Sequence, residues 1–166
     1  MWPSFQDWFS ALYIILPTYC TNGAPILFGG GRPVDMGMRL GDGERVLGDN
    51  KTFRGLIGGF IVGTLVGVYC SYLFSKNLLV IAIPASLGAL LGDLAGALFK
   101  RRLKIKPGGA LPVVDQLDFV IGALLCVSLF SEVSLAVVLI LLLLTPPIHI
   151  LMNFGAYALG LKDRYW

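Results

Sequence analysis

Leu78 to Phe99 reads LLVIAIPASLGALLGDLAGALF, an apolar run with a single acidic residue, Asp93, set inside it. Wound as a helix, it spans roughly 30 Å, the thickness of a bilayer's hydrocarbon core. Four further apolar runs lie around it: Trp8 to Phe28, Gly55 to Phe74, Leu117 to Phe130 and Leu135 to about Leu151. Pro17 is a candidate bend in the first. The fourth is short and carries Asp118 at its start. The pattern predicts an all-α, polytopic membrane protein of five transmembrane helices, with residues 1–166 as one domain.

Composition agrees. Of 166 residues, 56% are hydrophobic and only 14% charged, against about a quarter charged in soluble domains. Cys20, Cys70 and Cys126 stand singly in apolar stretches, without the spacing of a disulfide framework or a zinc site. They are expected to be packing residues. No cleavable leader is expected, because Asp7 precedes the first apolar run and no basic segment leads it.

The few charges are distributed unevenly. Arg32, Arg39, Arg45, Lys51 and Arg54 fall between the first two runs, and Lys100, Arg101, Arg102, Lys104 and Lys106 between the third and fourth. Lys162 and Arg164 follow the fifth, and only Lys76 belongs to the other side. The positive-inside rule then puts both long loops and the C-terminus in the cytoplasm and the N-terminus outside. Five spans close this topology. Tyr157, Tyr165 and Trp166 suit a membrane interface.

Glycine recurs every fourth residue at Gly55, Gly59, Gly63 and Gly67, and again at Gly88, Gly92 and Gly96. Such stripes let a neighbouring backbone approach closely. They are expected to pack helices, bringing the cytoplasmic ends of the second and third spans together.

Asp93 lies about 9 Å below its helix end, where a carboxylate needs a cation, a metal or water. Asp115 and Asp118 share one helix face at i,i+3. Asp115 could cap its helix, whereas Asp118 opens a continuous apolar run. Three carboxylates at one membrane face suit a hard cation such as Mg²⁺. The stretch Gly48-Asp49-Asn50-Lys51-Thr52-Phe53-Arg54-Gly55 is a glycine-bearing loop opening a helix, a place where backbone N–H groups and cations meet anions. Its spacing is not that of a P-loop, and no strand precedes it. Asp35 and Asp42 read as turn residues, His149 as a packed or interfacial one. Arg102 and Lys104 read as topology determinants that face lipid head groups.

Carboxylates for a metal, cations for phosphates and a site at the lipid surface suggest a nucleotide and a lipid phosphate. Gly30-Gly31-Arg32-Pro33-Val34-Asp35, the Gly48 to Gly55 stretch, Gly92-Asp93-Leu94-Ala95-Gly96 and the run from Phe99 through Asp118 resemble the archaeal CDP-archaeol synthase family over nearly the whole chain. The resemblance implies transfer of CMP from CTP to the phosphate of an unsaturated ether lipid, with release of pyrophosphate and dependence on Mg²⁺. A more distant likeness is to bacterial CDP-diacylglycerol synthase. Lys100-Arg101 and the Asp115/Asp118 pair match it, while Ala97 replaces a Ser, Gln116 an Arg, and Lys106 is followed by Pro107 rather than Asp.

With that resemblance, Asp93 and Asp115 are expected to be catalytic metal ligands and Asp118 a third ligand or its support. Lys51 and Lys100 are expected as catalytic cations. Arg54, Arg101 and Lys106 would hold phosphates, and Asp49, Asn50 and Thr52 would touch base, ribose or metal. The implied partners are CTP and a lipid from the bilayer, with no nucleic acid. A transporter for an anionic solute is the rival reading. It expects polar residues reaching both faces, and here they crowd one. The Asp-x-x-Asp-Gly run of a CDP-alcohol phosphotransferase is absent.

Overall fold

The computed structural model describes residues 2–74 and 79–161. They form α1 (Phe5–Gly23), α2 (Pro25–Phe28), α3 (Phe53–Leu73), α4 (Leu79–Arg102), α5 (Val114–Ser128) and α6 (Leu135–Ala158). Among these residues there is no strand, only two isolated bridges, Pro33 with Thr52 and Arg39 with Arg45. Lys76, Lys162, Arg164, Tyr165 and Trp166 lie outside the described residues.

The solvent this fold requires is visible in α3. Its buried residues are Gly55, Gly59, Gly63, Gly67 and Cys70, while Ile57, Ile61, Leu65 and Val68 are 59%, 50%, 60% and 45% exposed. A helix in water turns its large apolar side chains inward. Here the small residues face in and the large ones face out, which is favourable only where the surroundings are themselves apolar. Four segments are long and apolar enough to cross a membrane: Phe5–Phe28, Phe53–Leu73, Leu79–Arg102 and Leu135–Ala158.

The first span runs helical through Pro17, and its interruption comes instead at Ala24, where Pro25 begins α2 without an N–H to donate. The fourth expected span is α5, only 15 residues long, or about 22 Å. Its two ends nevertheless lie at opposite ends of the bundle. Asp115 near its start pairs with Lys100 at the end of α4. Just beyond its C-terminus, Ser134 donates to Asp7 at 2.6 Å, beside the capping box that Ser4 and Asp7 form at the start of α1. So α1 and α6 start together, and α5 carries the chain from the far end back to them.

The two glycine stripes face different neighbours: the α3 stripe packs on α1 and also on α4, where a Cβ at Gly67 would lie 2.0 Å from that of Ala82, so the second and third spans meet as expected, while the α4 stripe turns to α5. On α3, a Cβ at Gly59 would lie 2.7 Å from the Thr21 carbonyl oxygen of α1, and one at Gly63 1.9 Å from Thr21 Oγ1 and 2.6 Å from Ser86 Oγ of α4. On α4, a Cβ at Gly88 would lie 2.3 Å from the Gly122 carbonyl oxygen, and one at Gly92 2.1 Å from that of Asp118. Gly122 returns the contact, its Cβ position 2.2 Å from the Gly88 oxygen. The α4 stripe therefore presses backbone against backbone on α5, with no room for a methyl group. That contact fixes how Asp93 and Asp118 face each other.

Candidate active site

Thr52 begins the site. Its hydroxyl accepts from the Gly55 N–H at 3.1 Å and caps α3, so the preceding residue, Lys51, is held at the mouth of the bundle. The Lys51 carbonyl accepts from the Val34 N–H at 2.8 Å, and the Phe53 N–H donates to the Arg32 carbonyl. Lys51 then reaches down to α4, where Nζ lies 2.6 and 2.5 Å from the two carboxylate oxygens of Asp93. Both side chains are about three-quarters buried, at 25% and 22% exposure. This pair lines a small cavity of about 60 Å³ with Asn22, Asn50, Thr52 and Gly55.

A second cationic pair stands beside it. Lys100 Nζ lies 2.6 Å from Asp115 Oδ1 and donates to the Gly109 carbonyl. The other Asp115 oxygen accepts from the Leu111 N–H at 2.8 Å, so Asp115 braces the turn ahead of α5 while the helix-capping position itself, Val113, offers no side-chain bond. Asp118 is placed differently. Its Oδ1 accepts from the Phe119 N–H at 2.6 Å, and Oδ2 points at Gly96, 2.0 Å from a Cβ position there. Asp93, Lys51 and Asp115 are the charged side chains near enough to act on it.

The three expected metal ligands, Asp93, Asp115 and Asp118, are held in different ways. Among the described residues no three Asp, Glu, His or Cys side chains gather as a metal cluster, because Lys51 and Lys100 each hold one carboxylate apart. Mg²⁺ needs only one or two carboxylates when substrate phosphates complete its shell. Asp93 and Asp118, all-oxygen donors with one Asp118 oxygen unengaged by the described residues, fit that requirement.

Asp118 also lines a groove of about 560 Å³ between α4 and α5, walled by Leu91, Ala95, Phe99, Leu117, Ile121 and Leu125 and floored by Gly92, Gly96 and Gly122. The groove is apolar along its length, and Gly92 separates it by one residue from Asp93 of the polar cavity.

The remaining expected residues divide. Arg101 is buried at 3% exposure. It donates to the Lys106 carbonyl at 3.2 Å, while its Nε and Nη1 have no partner among the described residues. Asn50 lines the polar cavity. Arg54 and Lys106 have exposed side chains at the same end. Asp49 is drawn off by Arg45, at 2.8 Å. Two residues read as facing lipid or turns act otherwise. Arg102 pairs with Asp42 and donates to the Arg45 carbonyl at 2.5 Å, pinning the first loop onto the end of α4. Asp35, besides its turn bond to Gly37, holds Arg45 at 2.6 Å and two further backbone N–H groups. Arg45 holds the Asp35 carboxyl well below the usual carboxylate range. His149 packs 5.8 Å from Phe119 and beside Asn153.

A family model described as CarS-like, CDP-archaeol synthase, matches residues 5–166. The chain belongs to the CDP-archaeol synthase family. The CDP-archaeol synthase of Thermofilum pendens is 47% identical over 161 residues, covering 92% of this chain and 78% of that one. The CDP-archaeol synthase of Thermococcus gammatolerans is 44% identical, covering 98% and 99%. A solved structure described as an intramembrane enzyme for archaeal membrane lipids biosynthesis superposes with a TM-score of 0.82 at 40% identity, over 87% of this chain and 92% of that one. Within this CDP-archaeol synthase fold, Asn22 is the cavity residue that sequence reasoning missed. It sits at the end of an apolar helix, and an uncharged amide there gives no signal until Lys51 and Asp93 are brought to it.

Proposed function

We propose that this protein transfers CMP from CTP to the phosphate of an archaeal ether lipid, giving CDP-archaeol and pyrophosphate. Membership in the family supports the activity. The observation that carries it to these residues is that a polar cavity around Lys51–Asp93 and an apolar groove between α4 and α5 are lined by consecutive residues of α4, Asp93 and Gly92. A lipid phosphate needs such neighbours: chains in an apolar groove, phosphate among charges nearby. A transporter finds no support. The relatives are synthases, and the described charges other than Asp7 and Glu132 gather at one end of the bundle.

The lipid phosphate is already an anionic nucleophile, so no strong base is required. One of its oxygens bonds to the α-phosphorus of CTP, the bond from that phosphorus to the bridging oxygen breaks, and pyrophosphate leaves with the electron pair. The obstacle is the meeting of anions, and the remedy is prepositioned positive charge. Lys51, paired with Asp93, and Lys100, paired with Asp115, receive phosphoryl oxygens, and Arg101, with two unused N–H directions, offers a third contact. Asp93 and Asp118 would hold Mg²⁺, which supplies charge neutralisation at the reacting phosphates. Asp115 orients Lys100. Asn22 and Asn50 are uncharged amides suited to water, ribose or base contacts.

The chain is read as crossing the membrane five times, with α5 spanning at its short length because α4 and α6 shelter it. The long loops and C-terminus are cytoplasmic and the N-terminus is outside, as the Lys and Arg bias supports. The deciding assay is conversion of radiolabelled CTP to a lipid-extractable CMP product, with and without chelator, in membranes holding this protein. A water-soluble product only, or equal use of ATP, refutes the reading.

A further inference from the structure

We propose that Asp35 is a positioning residue for Lys51, acting through the backbone between them and touching no substrate itself. This rests on the reading of Lys51 as a phosphate-holding cation.

The loop from Gly29 to Lys51 is mostly exposed, yet the Asp35 side chain is only 1% exposed. Five hydrogen bonds converge on it. Arg45 donates from Nη2 at 2.6 Å and Nε at 3.1 Å. Gly37 donates at 3.2 Å, and the Leu47 and Gly48 N–H groups each at 2.9 Å. Leu47 immediately precedes, and Gly48 opens, the four-residue turn that ends at Lys51, whose own N–H donates to the Gly48 carbonyl at 3.3 Å. Gly48 has φ +102, a conformation that side-chain-bearing residues rarely adopt. The neighbour of Asp35, Val34, closes the frame from the other side by donating to the Lys51 carbonyl. Both ends of the turn are thus held by adjacent residues, 34 and 35.

A lysine side chain is long and flexible, so the approach of Nζ to both Asp93 oxygens depends on where the Lys51 backbone is held. Arg102 ties the same frame to α4 through Asp42 and the Arg45 carbonyl. Asp93 and the loop that delivers Lys51 are therefore referenced to one helix. An Asn at position 35 would turn an NH₂ group toward donors that now meet a carboxylate oxygen, leaving buried N–H groups unmatched.

The test is amine acetylation of the detergent-purified full chain, read per lysine by mass spectrometry, alongside the CTP-to-lipid assay. In Asp35→Asn, Lys51 is expected to label about five-fold faster as the turn opens locally, while Lys100, held by Asp115, stays within about two-fold of its wild-type rate. Turnover falls about 100-fold through kcat, and adding Asp35→Asn to Lys51→Ala costs nothing further, since residues acting as one unit are non-additive. Should Asp35→Asn aggregate on size exclusion, Arg45→Lys, which keeps the charge but loses the paired donors, is expected to give the same two-lysine contrast at smaller amplitude. Lys51 and Lys100 accelerating together, or Lys51 unchanged, overturns the proposal. Selective exposure of Lys51 in a protein that makes no CMP-lipid would leave the positioning role standing and remove the proposed activity instead.

Discussion

Lys51 Nζ meets both carboxylate oxygens of Asp93, at 2.6 and 2.5 Å, across 42 residues of sequence. The pair closes the first loop onto α4 and commits the Lys51 ammonium to both oxygens of Asp93. Asp93→Asn is expected to remove that charge relationship and the favoured cation ligand together, lowering turnover by about 100-fold or more. The amide is cheaper to bury than an unpaired charge, so size-exclusion behaviour should be retained. Turnover near wild type at saturating Mg²⁺ removes Asp93 from the site.

At Gly88, Gly92 and Gly122 the contact of α4 with α5 admits no side chain. At Gly92 a methyl group would fall 2.1 Å from the Asp118 carbonyl oxygen, a backbone atom that cannot swing aside. Gly92→Ala is expected to cost about 1–3 kcal/mol by overpacking and to move Asp118 away from Asp93. A thermal melt in detergent reads the first effect, and a raised Mg²⁺ requirement in the activity assay reads the second. An unchanged melt shows that the two helices slide apart freely.

The groove makes a separate forecast. Ala95 is an exposed wall residue of the apolar cavity, away from Lys51 and Lys100. Ala95→Trp should fill the groove, raising the KM for a long-chain acceptor about ten-fold or more while CTP binding is unaltered, since loss of apolar contact of one to two methylenes already costs roughly 1–3 kcal/mol. Titration of acceptor at fixed CTP measures it. A purely kcat effect would place the chains elsewhere.

Asp35 gives a pH dependence with a definite sign. Its carboxyl is held below the usual value of about 3.9, chiefly by Arg45 and then by the Gly48 and Leu47 N–H groups. A depressed folded-state pKa contributes stability that is present above the unfolded value and is lost as pH falls toward the folded one. The difference in melting temperature between wild type and Asp35→Asn should therefore be flat from pH 7 to about 5 and shrink below about 4. A difference that grows on acidification contradicts the ion pair.

Orientation is checked with single cysteines in a background lacking Cys20, Cys70 and Cys126. Glu132→Cys should react with a membrane-impermeant maleimide in intact cells, and Lys104→Cys only after permeabilisation, if positive-inside bias sets the topology. The reverse pattern inverts the protein in the membrane.

The sequence by itself determined that the chain is helical and membrane-bound, since apolar runs of spanning length cannot satisfy their backbone in lipid any other way. It also singled out Asp93, because an ionised group amid apolar neighbours is anomalous wherever the chain goes, while Lys51 and Lys100 were marked by their charged loops and by the family resemblance. The spacing of small residues was equally legible, being a local periodicity. What that spacing packs against was not. The α4 stripe meets Gly122 and Asp118 of α5, and the α3 stripe meets Thr21 of α1 as well as Ser86 and Ala82 of α4, because small residues specify closeness without specifying a partner. Nor could spacing decide which carboxylate each lysine takes: Asp115 and Asp118 are three residues apart, yet one is captured by Lys100 and the other faces the groove. Asn22, Asp35 and Arg102 acquire their meaning chiefly from groups 10 to 60 residues away, or from a cavity wall assembled out of four helices and a loop. Electrostatics and hydrogen bonding act over a few ångströms of space, and only the packed helices convert sequence separation into that distance.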